Sequence, residues 1–180
     1  MSDNPNGKRG RIAVFMPLIQ AADGLTLGQV CTLSELEPST IQNWIKRGYV
    51  PHPVMKKYRE RHLARILLIA QLRQSMPIDR VGELFSYING DADDESDDII
   101  AEEALYDLFL DIADKLDESA PAPDRVEDIV CTVLKDASIC SEYRDKLTFA
   151  LCVMAYTYMA NCFKEKADLL FNERKSSWKP

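Results

Sequence analysis

Apolar positions recur along most of this chain at three- and four-residue spacing, the signature of amphipathic helices. The first clear pair lies in residues 25–47, LTLGQVCTLSELEPSTIQNWIKR. Thr26 is a good N-cap, and Gln29 three residues on completes a capping-box pattern. Leu27, Val30, Cys31 and Leu33 then face inward, and Ser34 to Glu37 form a turn. Pro38 suits the first turn of a second helix, where its missing N–H costs nothing. On that helix Ile41, Trp44 and Ile45 share one face, and Gly48 ends it. Pro51 and Pro53 forbid helix and hold the next stretch extended, as a short wing or β-ribbon.

Two further helices follow by pattern. One spans Glu60 to Gln74, with Leu63, Ile66, Leu67, Ala70 and Leu72 apolar and Arg61, Arg65 and Arg73 on its polar side. The other runs from Pro77 to Ile88, with Ile78, Val81, Leu84, Phe85 and Ile88 inward, and Asn89-Gly90 closes it. Beyond an acidic stretch, residues 99–117 repeat Ile100, Ala104, Leu105, Leu108, Ile112 and Leu116, with acids on the outer face. After a loop around Pro121 and Pro123, Asp124 N-caps a helix to about Lys135 that turns Val126, Ile129, Val130, Val133 and Leu134 inward. A last helix starts at Ser138 or Ser141 and reaches Lys175. The apolar segment Ile12 to Ile19 fits either a short strand or a hydrophobic strap on the head. The fold class is therefore all-α with at most a short β wing. Its expected organisation is an arm and strap (1–24), a head (25–90), an acidic linker (91–98) and a helical C-terminal domain (99–180).

Charge changes this picture. The chain of 180 residues carries a net −7, yet residues 1–80 hold twelve Lys/Arg against six Asp/Glu, and residues 81–180 hold ten against twenty-three. A basic half attracts phosphate, and an acidic half repels it and restricts docking. The outer face of the second helix carries Ser39, Gln42, Asn43 and Lys46, with Thr40 and Arg47 at its sides. The wing adds Lys56, Lys57, Tyr58 and Arg59. Amides pair with adenine, and Lys or Arg with guanine or phosphate, so these ten residues form the candidate DNA-binding set. Polar residues on an outer helix face are equally what any solvated helix shows.

The order of elements, with "RGYVP" after the second helix and "MPIDRVGELF" further on, resembles the N-terminal head of MerR-type regulators over residues 25–88. The resemblance implies a winged helix-turn-helix. Gln42-Asn43-Trp44 stands where MerR heads usually carry an Arg-Tyr-Tyr cluster, and the wing is abbreviated. Base readout therefore does not transfer, and Trp44 is expected in the core. "IQNWIKRGYVPHPVMKKY" together with "LFSYINGDADDESDDII" is also similar to an uncharacterised bacterial family catalogued as a domain of unknown function. Members of that family join a MerR-like head to an acidic linker and an α-helical tail.

Other chemistry is thin. The segment 91–98 holds six acids in eight residues, but its sixth position is Ser96 where a calcium loop needs glycine. A solvated linker or a helix cap is the stronger expectation, with some acids pairing with the basic head. The cysteines Cys31, Cys131, Cys140, Cys152 and Cys162 form no C-x-x-C pair, and with His52 and His62 no zinc spacing arises. Neither histidine sits in a recognisable constellation, so both are expected at the surface or near phosphate. Without a Gly-rich phosphate loop or a nucleophile motif, neither an enzyme nor a cofactor is expected. Leu147 to Phe163 is seventeen uncharged residues long, but Thr148, Tyr156, Thr157, Tyr158 and Asn161 oppose a membrane span. A bundle centre or subunit interface fits better, and its Met, Tyr and Cys content would also suit a cavity for an unknown small-molecule effector. Without a secretory h-region, a cytoplasmic location is expected. The function expected is a homodimeric regulator on double-stranded DNA. The alternative is a protein–protein adaptor that keeps the fold without binding DNA.

Overall fold

A computed structural model of the chain describes residues 10–118, 123–137 and 139–175. Lys8 and Arg9, basic residues of the arm within reach of a phosphate backbone by sequence, and Ser138, considered above as a helix start, lie outside the described residues.

Among the described residues the chain forms helices and isolated β-bridges. Ile12–Ala21 is helix α1, which settles the choice between strand and strap in favour of a packed helix. Ile12 and Ile19 bury one edge of it against the rest. Pro17 lies within it, so one backbone hydrogen bond is missing. It closes with Asp23 at φ 47 and the Gly24 N–H donating to Ile19 O at 2.8 Å.

Helix α2 is Leu27–Ser34, with the expected Thr26–Gln29 capping box in place. Glu35, at φ 56, turns the chain, and helix α3, Pro38–Lys46, follows with its proline at the start. Ile41, Trp44 and Ile45 are buried beneath it. Gly48 takes φ 73, a left-handed conformation that costs glycine little. The wing reduces to a tight turn in which Lys57 N–H donates to Val54 O at 2.9 Å. A second bridge joins Leu25 to Tyr58.

Helix α4, Glu60–Leu72, is the centre of the molecule. It packs on α1, on α2, on α5 (Ile78–Asn89), on α6 (Glu102–Glu118) and on α8 (Arg144–Lys175). Helix α7, Val126–Asp136, lies against α6 and α8. Its first turn is preceded by a 3-10 turn at Pro123–Arg125, so Asp124 sits inside that turn instead of capping α7. Burial reaches almost all round α4: His62, Ala64, Arg65, Leu68 and Ile69 join the predicted Leu63, Ile66 and Leu72. A helix apolar on most sides needs partners on most sides. One continuous apolar cluster accordingly runs from Ile12 through α4 to Met159.

Two readings of polar residues are corrected here. Arg65 is not on a polar face, and Glu102 is not on an outer one; their side chains are 2% and 1% exposed. Arg65 Nη1 donates to Glu102 Oε1, its Nε donates to Tyr49 O at 2.7 Å, and its guanidinium lies 4.6 Å from the Phe85 ring centroid. Asn89 extends the cluster. Its amide donates to Ile100 O at 2.8 Å and to Glu102 Oε1 at 3.3 Å, while its Oδ1 accepts from Ile99 and Ile100 N–H. The buried Arg65 charge thus binds α4 to the start of α6 and to the chain leaving α3. Buried charge is tolerated only in such company.

The acidic segment is folded onto the head. Asp93 accepts from His52 N–H at 2.7 Å and pairs with the His52 ring at 2.8 Å. Glu95 pairs with Arg61, which also donates to Ala92 O at 3.0 Å. Asp94 caps the 3-10 turn Glu95–Asp97. Among the described residues no group of three or more His, Cys, Asp or Glu side chains could hold a metal ion. No helix among them is long and apolar enough to cross a membrane.

Candidate nucleic-acid interface

The capping box of α2, the turn at Glu35 and the proline start of α3 fix how α3 lies across α2. With Ile41, Trp44 and Ile45 inward, helical geometry turns Ser39, Gln42, Asn43 and Lys46 to solvent, and all four are exposed. Thr40 is half-buried. The tip of the wing stands beside this face. Gln42 and Lys56 line one shallow open groove of about 440 Å³, floored by Leu27, Ile45, Pro53 and Tyr58. Met55 and Lys56 form the tip with φ of 50° and 62°. Both central residues of a type I′ turn need positive φ, a role usually filled by Asn and Gly. The turn therefore carries strain at the point where a cation is presented.

The predicted residues divide into two groups. Lys46 and Lys56 have no ion-pair partner among the described residues. The others are engaged within the fold. Lys57 Nζ donates to Ala22 O at 2.8 Å and Gly24 O at 3.2 Å, holding the end of α1. Tyr58 is 4% exposed and sits edge-on to His62, so it contributes only to the groove floor. Arg59 donates to Asp23 at 3.1 Å. Arg47 pairs with Asp79 and lies 4.7 Å from the Tyr49 ring centroid. Tyr49 OH donates to the same carboxylate, and that bond, with Arg47 beside it, holds Asp79 below the ordinary carboxylate range.

Sequence reasoning missed His62. It is buried, accepting from Arg59 N–H at 3.1 Å through Nδ1 and donating to His52 O at 3.1 Å through Nε2. Those partners fit the neutral ring, and burial pushes its pKa below the usual histidine value. It fastens the wing to α4 and is not available to phosphate. A helical-wheel argument would have found it: His62 and Arg65 share the face of Leu68, Ile69 and Leu72. Asp93 is also shifted. Burial works against its charge, but the His52 hydrogen bonds and Arg61 outweigh that and keep it below its ordinary value.

What these elements define is an all-helical protein with one polar, partly basic helix face beside a strained turn. Residues 23–109 match the model of a protein family described as a domain of unknown function, DUF1836. That span starts just ahead of α2 and ends inside α6, so it includes the α3 face, the wing and the Arg65–Glu102–Asn89 cluster. Over 94 residues the chain is 28% identical to an uncharacterized protein, YkrK, of Bacillus subtilis (strain 168). The match covers 50% of this chain and 40% of that protein, so the chain spans less than half the length of this relative. No solved structure matches.

Proposed function

We propose that the chain is a DNA-binding transcriptional regulator that works as a homodimer. In this reading α2, the Glu35 turn and α3 act as a helix-turn-helix, and the Val54–Lys57 turn acts as the wing of a MerR-like head. The observation that supports it is the shared groove of Gln42 and Lys56, which sets an exposed amide on α3 beside a cation on the wing. Lys46 and Lys56 neutralise phosphates, and Ser39, Gln42 and Asn43 read base edges. Thr40 adds a flanking hydroxyl. Arg47 and Arg59 contribute only by leaving Asp79 and Asp23. One head of this size buries too little surface to be specific at physiological salt, so two heads act together.

The test is a gel shift on DNA from upstream of the chain's own gene against unrelated DNA of equal length. Asn43→Ala is expected to lose about 1–3 kcal/mol of preference for the upstream site and to keep its non-specific binding. Equal affinity of the wild type for both DNAs at every salt concentration would contradict site-specific regulation.

The ion pairs of Arg47 and Arg59 favour a second reading, because they leave few cations free. The chain would then be a protein–protein adaptor with the same fold. In a low-salt pull-down the adaptor retains a protein partner and no DNA, whereas the regulator retains genomic DNA.

A further inference from the structure

Helix α8 presents two apolar faces, one buried and one left largely exposed. Only the first part of the exposed face has neighbours: Phe149 sits edge-on to Tyr87, and Tyr156 OH donates to Pro123 O at 3.3 Å. Leu147, Leu151, Met154, Ala155 and Tyr158 bury one face against the rest of the molecule, and the last buried position is Asn161. From there to Lys175 the helix runs on for fourteen residues, about 21 Å at 1.5 Å per residue, with no buried residue.

The other face carries a regular stripe. Phe149, Tyr156, Phe163 and Leu170 follow one another at seven-residue intervals and are 57%, 43%, 52% and 54% exposed. Between them, at the alternate four- and three-residue step, stand Val153, Ala160 and Ala167. Val153 is half-buried and both alanines are exposed. A seven-residue apolar repeat held over three turns of the pattern is the seam of a left-handed coiled coil. The stripe continues without a break from the packed part of α8 onto the overhang. Its members on the packed part, Phe149 to Ala160, span about as much helix as those on the overhang, Phe163 to Leu170, with the last turn beyond them.

We infer that a second copy of this chain covers the stripe, with the two α8 helices antiparallel and the overhang of each lying on the packed half of the other. Laying each overhang along the packed half of the other helix selects this register. With the two-fold axis between Asn161 and Cys162, Val153 faces Leu170 of the partner subunit, Tyr156 faces Ala167 of the partner subunit, and Ala160 faces Phe163 of the partner subunit. Each of these three layers on both sides of the axis then pairs a larger side chain with a smaller one. Tyr156 and Phe163 both meet alanine, while Phe149 at the end of the stripe faces Arg174 of the partner subunit. A parallel pair would set Phe163 on Phe163 and Ala160 on Ala160, leaving alternate crowding and gaps. The antiparallel pair also buries the stripe on both overhangs at once.

The inference specifies the dimer of the proposed function and does not depend on DNA binding. Size-exclusion chromatography with light scattering on the full chain at about 100 µM is expected to give a dimer. Ala160→Glu, at an exposed position outside the core, is expected to weaken the dimer at least tenfold with helical circular dichroism unchanged. Adding Phe163→Lys in the same chain sets each glutamate against a lysine of the other copy in this register, and the dimer is expected to return. In a parallel pair like charges would face one another and the double variant would stay monomeric. A monomeric wild type, or a dimer indifferent to Ala160→Glu, overturns the interface and leaves the stripe to some other protein. A double variant that stays monomeric overturns the antiparallel register. None of these substitutions touches α3 or the wing. A wild-type dimer that binds no DNA therefore contradicts the DNA reading alone.

Discussion

Met55 and Lys56 set backbone strain against a proposed DNA contact. Both hold positive φ in a turn that asparagine and glycine would form with less strain. Lys56→Gly is expected to stabilise the fold by about 1 kcal/mol in urea denaturation while weakening DNA binding. A variant that is both more stable and equally tight on DNA would mean that Lys56 is not a contact. His62 gives a pH signature. Burial keeps its folded-state pKa below the unfolded value of about 6.5, so its contribution is complete above that pH and is lost as pH falls through the folded value. Asp98 works in the opposite sense. Burial and the neighbouring Glu102 charge raise it to about 6, so the folded state loses stability as pH rises from the carboxylate range towards 6. Thermal melts between about pH 4 and 7 should therefore separate them: His62→Gln removes the acid-side loss, and Asp98→Asn stabilises near neutrality. Residue identity was legible in the sequence wherever the pattern is periodic, as at Thr26, Pro38, Trp44 and Gly48. Residue type alone was misleading at Arg65, His62 and Glu102, and helical phase offered a signal only for the first two. Their types argue for the surface, and only the partners that satisfy them, brought from far along the chain, explain their burial.

Among the elements, α2 to α5 lie close to where periodicity sets them, because caps, prolines and glycines punctuate that stretch. Helix α1 was ambiguous, since eight apolar or small residues with an internal proline fit strand and helix alike until α4 provides a surface. The acidic segment read as a solvated linker or helix cap with some acids paired to the head, and the pairs are Asp93 with His52 and Glu95 with Arg61, with Gly90 turning the chain into it. A Cβ at Gly90, with φ at +57°, would lie 1.9 Å from Asp97 Oδ2. Gly90→Ala is expected to cost at least about 1–3 kcal/mol and to loosen this segment in hydrogen exchange. The α4–α6 junction gives a sharper test. Glu102→Ala leaves Arg65 buried with its Tyr49 carbonyl and the Phe85 ring but no counter-charge, and should cost about 3–5 kcal/mol. Arg65→Met with Glu102→Leu should cost much less in the same denaturation series. Equal losses would mean that the charge pair is not what the junction depends on.

At the scale of the molecule, the charge split survives folding as a statement about faces. The exposed cations of α3 and the wing belong to the basic half, and acids of the other half meet that half elsewhere, at Arg11, His52, Arg61 and Arg65. The candidate site was largely legible: Ser39, Gln42, Asn43, Lys46 and Lys56 came from helical phase and charge alone. The loss of Lys57, Tyr58, Arg47 and Arg59 to internal partners was not, because each partner lies in another element. The central claim is that Lys46 and Lys56 face phosphate. Fluorescence anisotropy of the wild type and of Lys46→Glu/Lys56→Glu, titrated with DNA over a series of salt concentrations, tests it most directly. The slope of log affinity on log salt is expected to become shallower by about 2 for each head, and affinity to fall on every DNA sequence. An unchanged slope with unchanged affinity would contradict the assignment of this face to DNA.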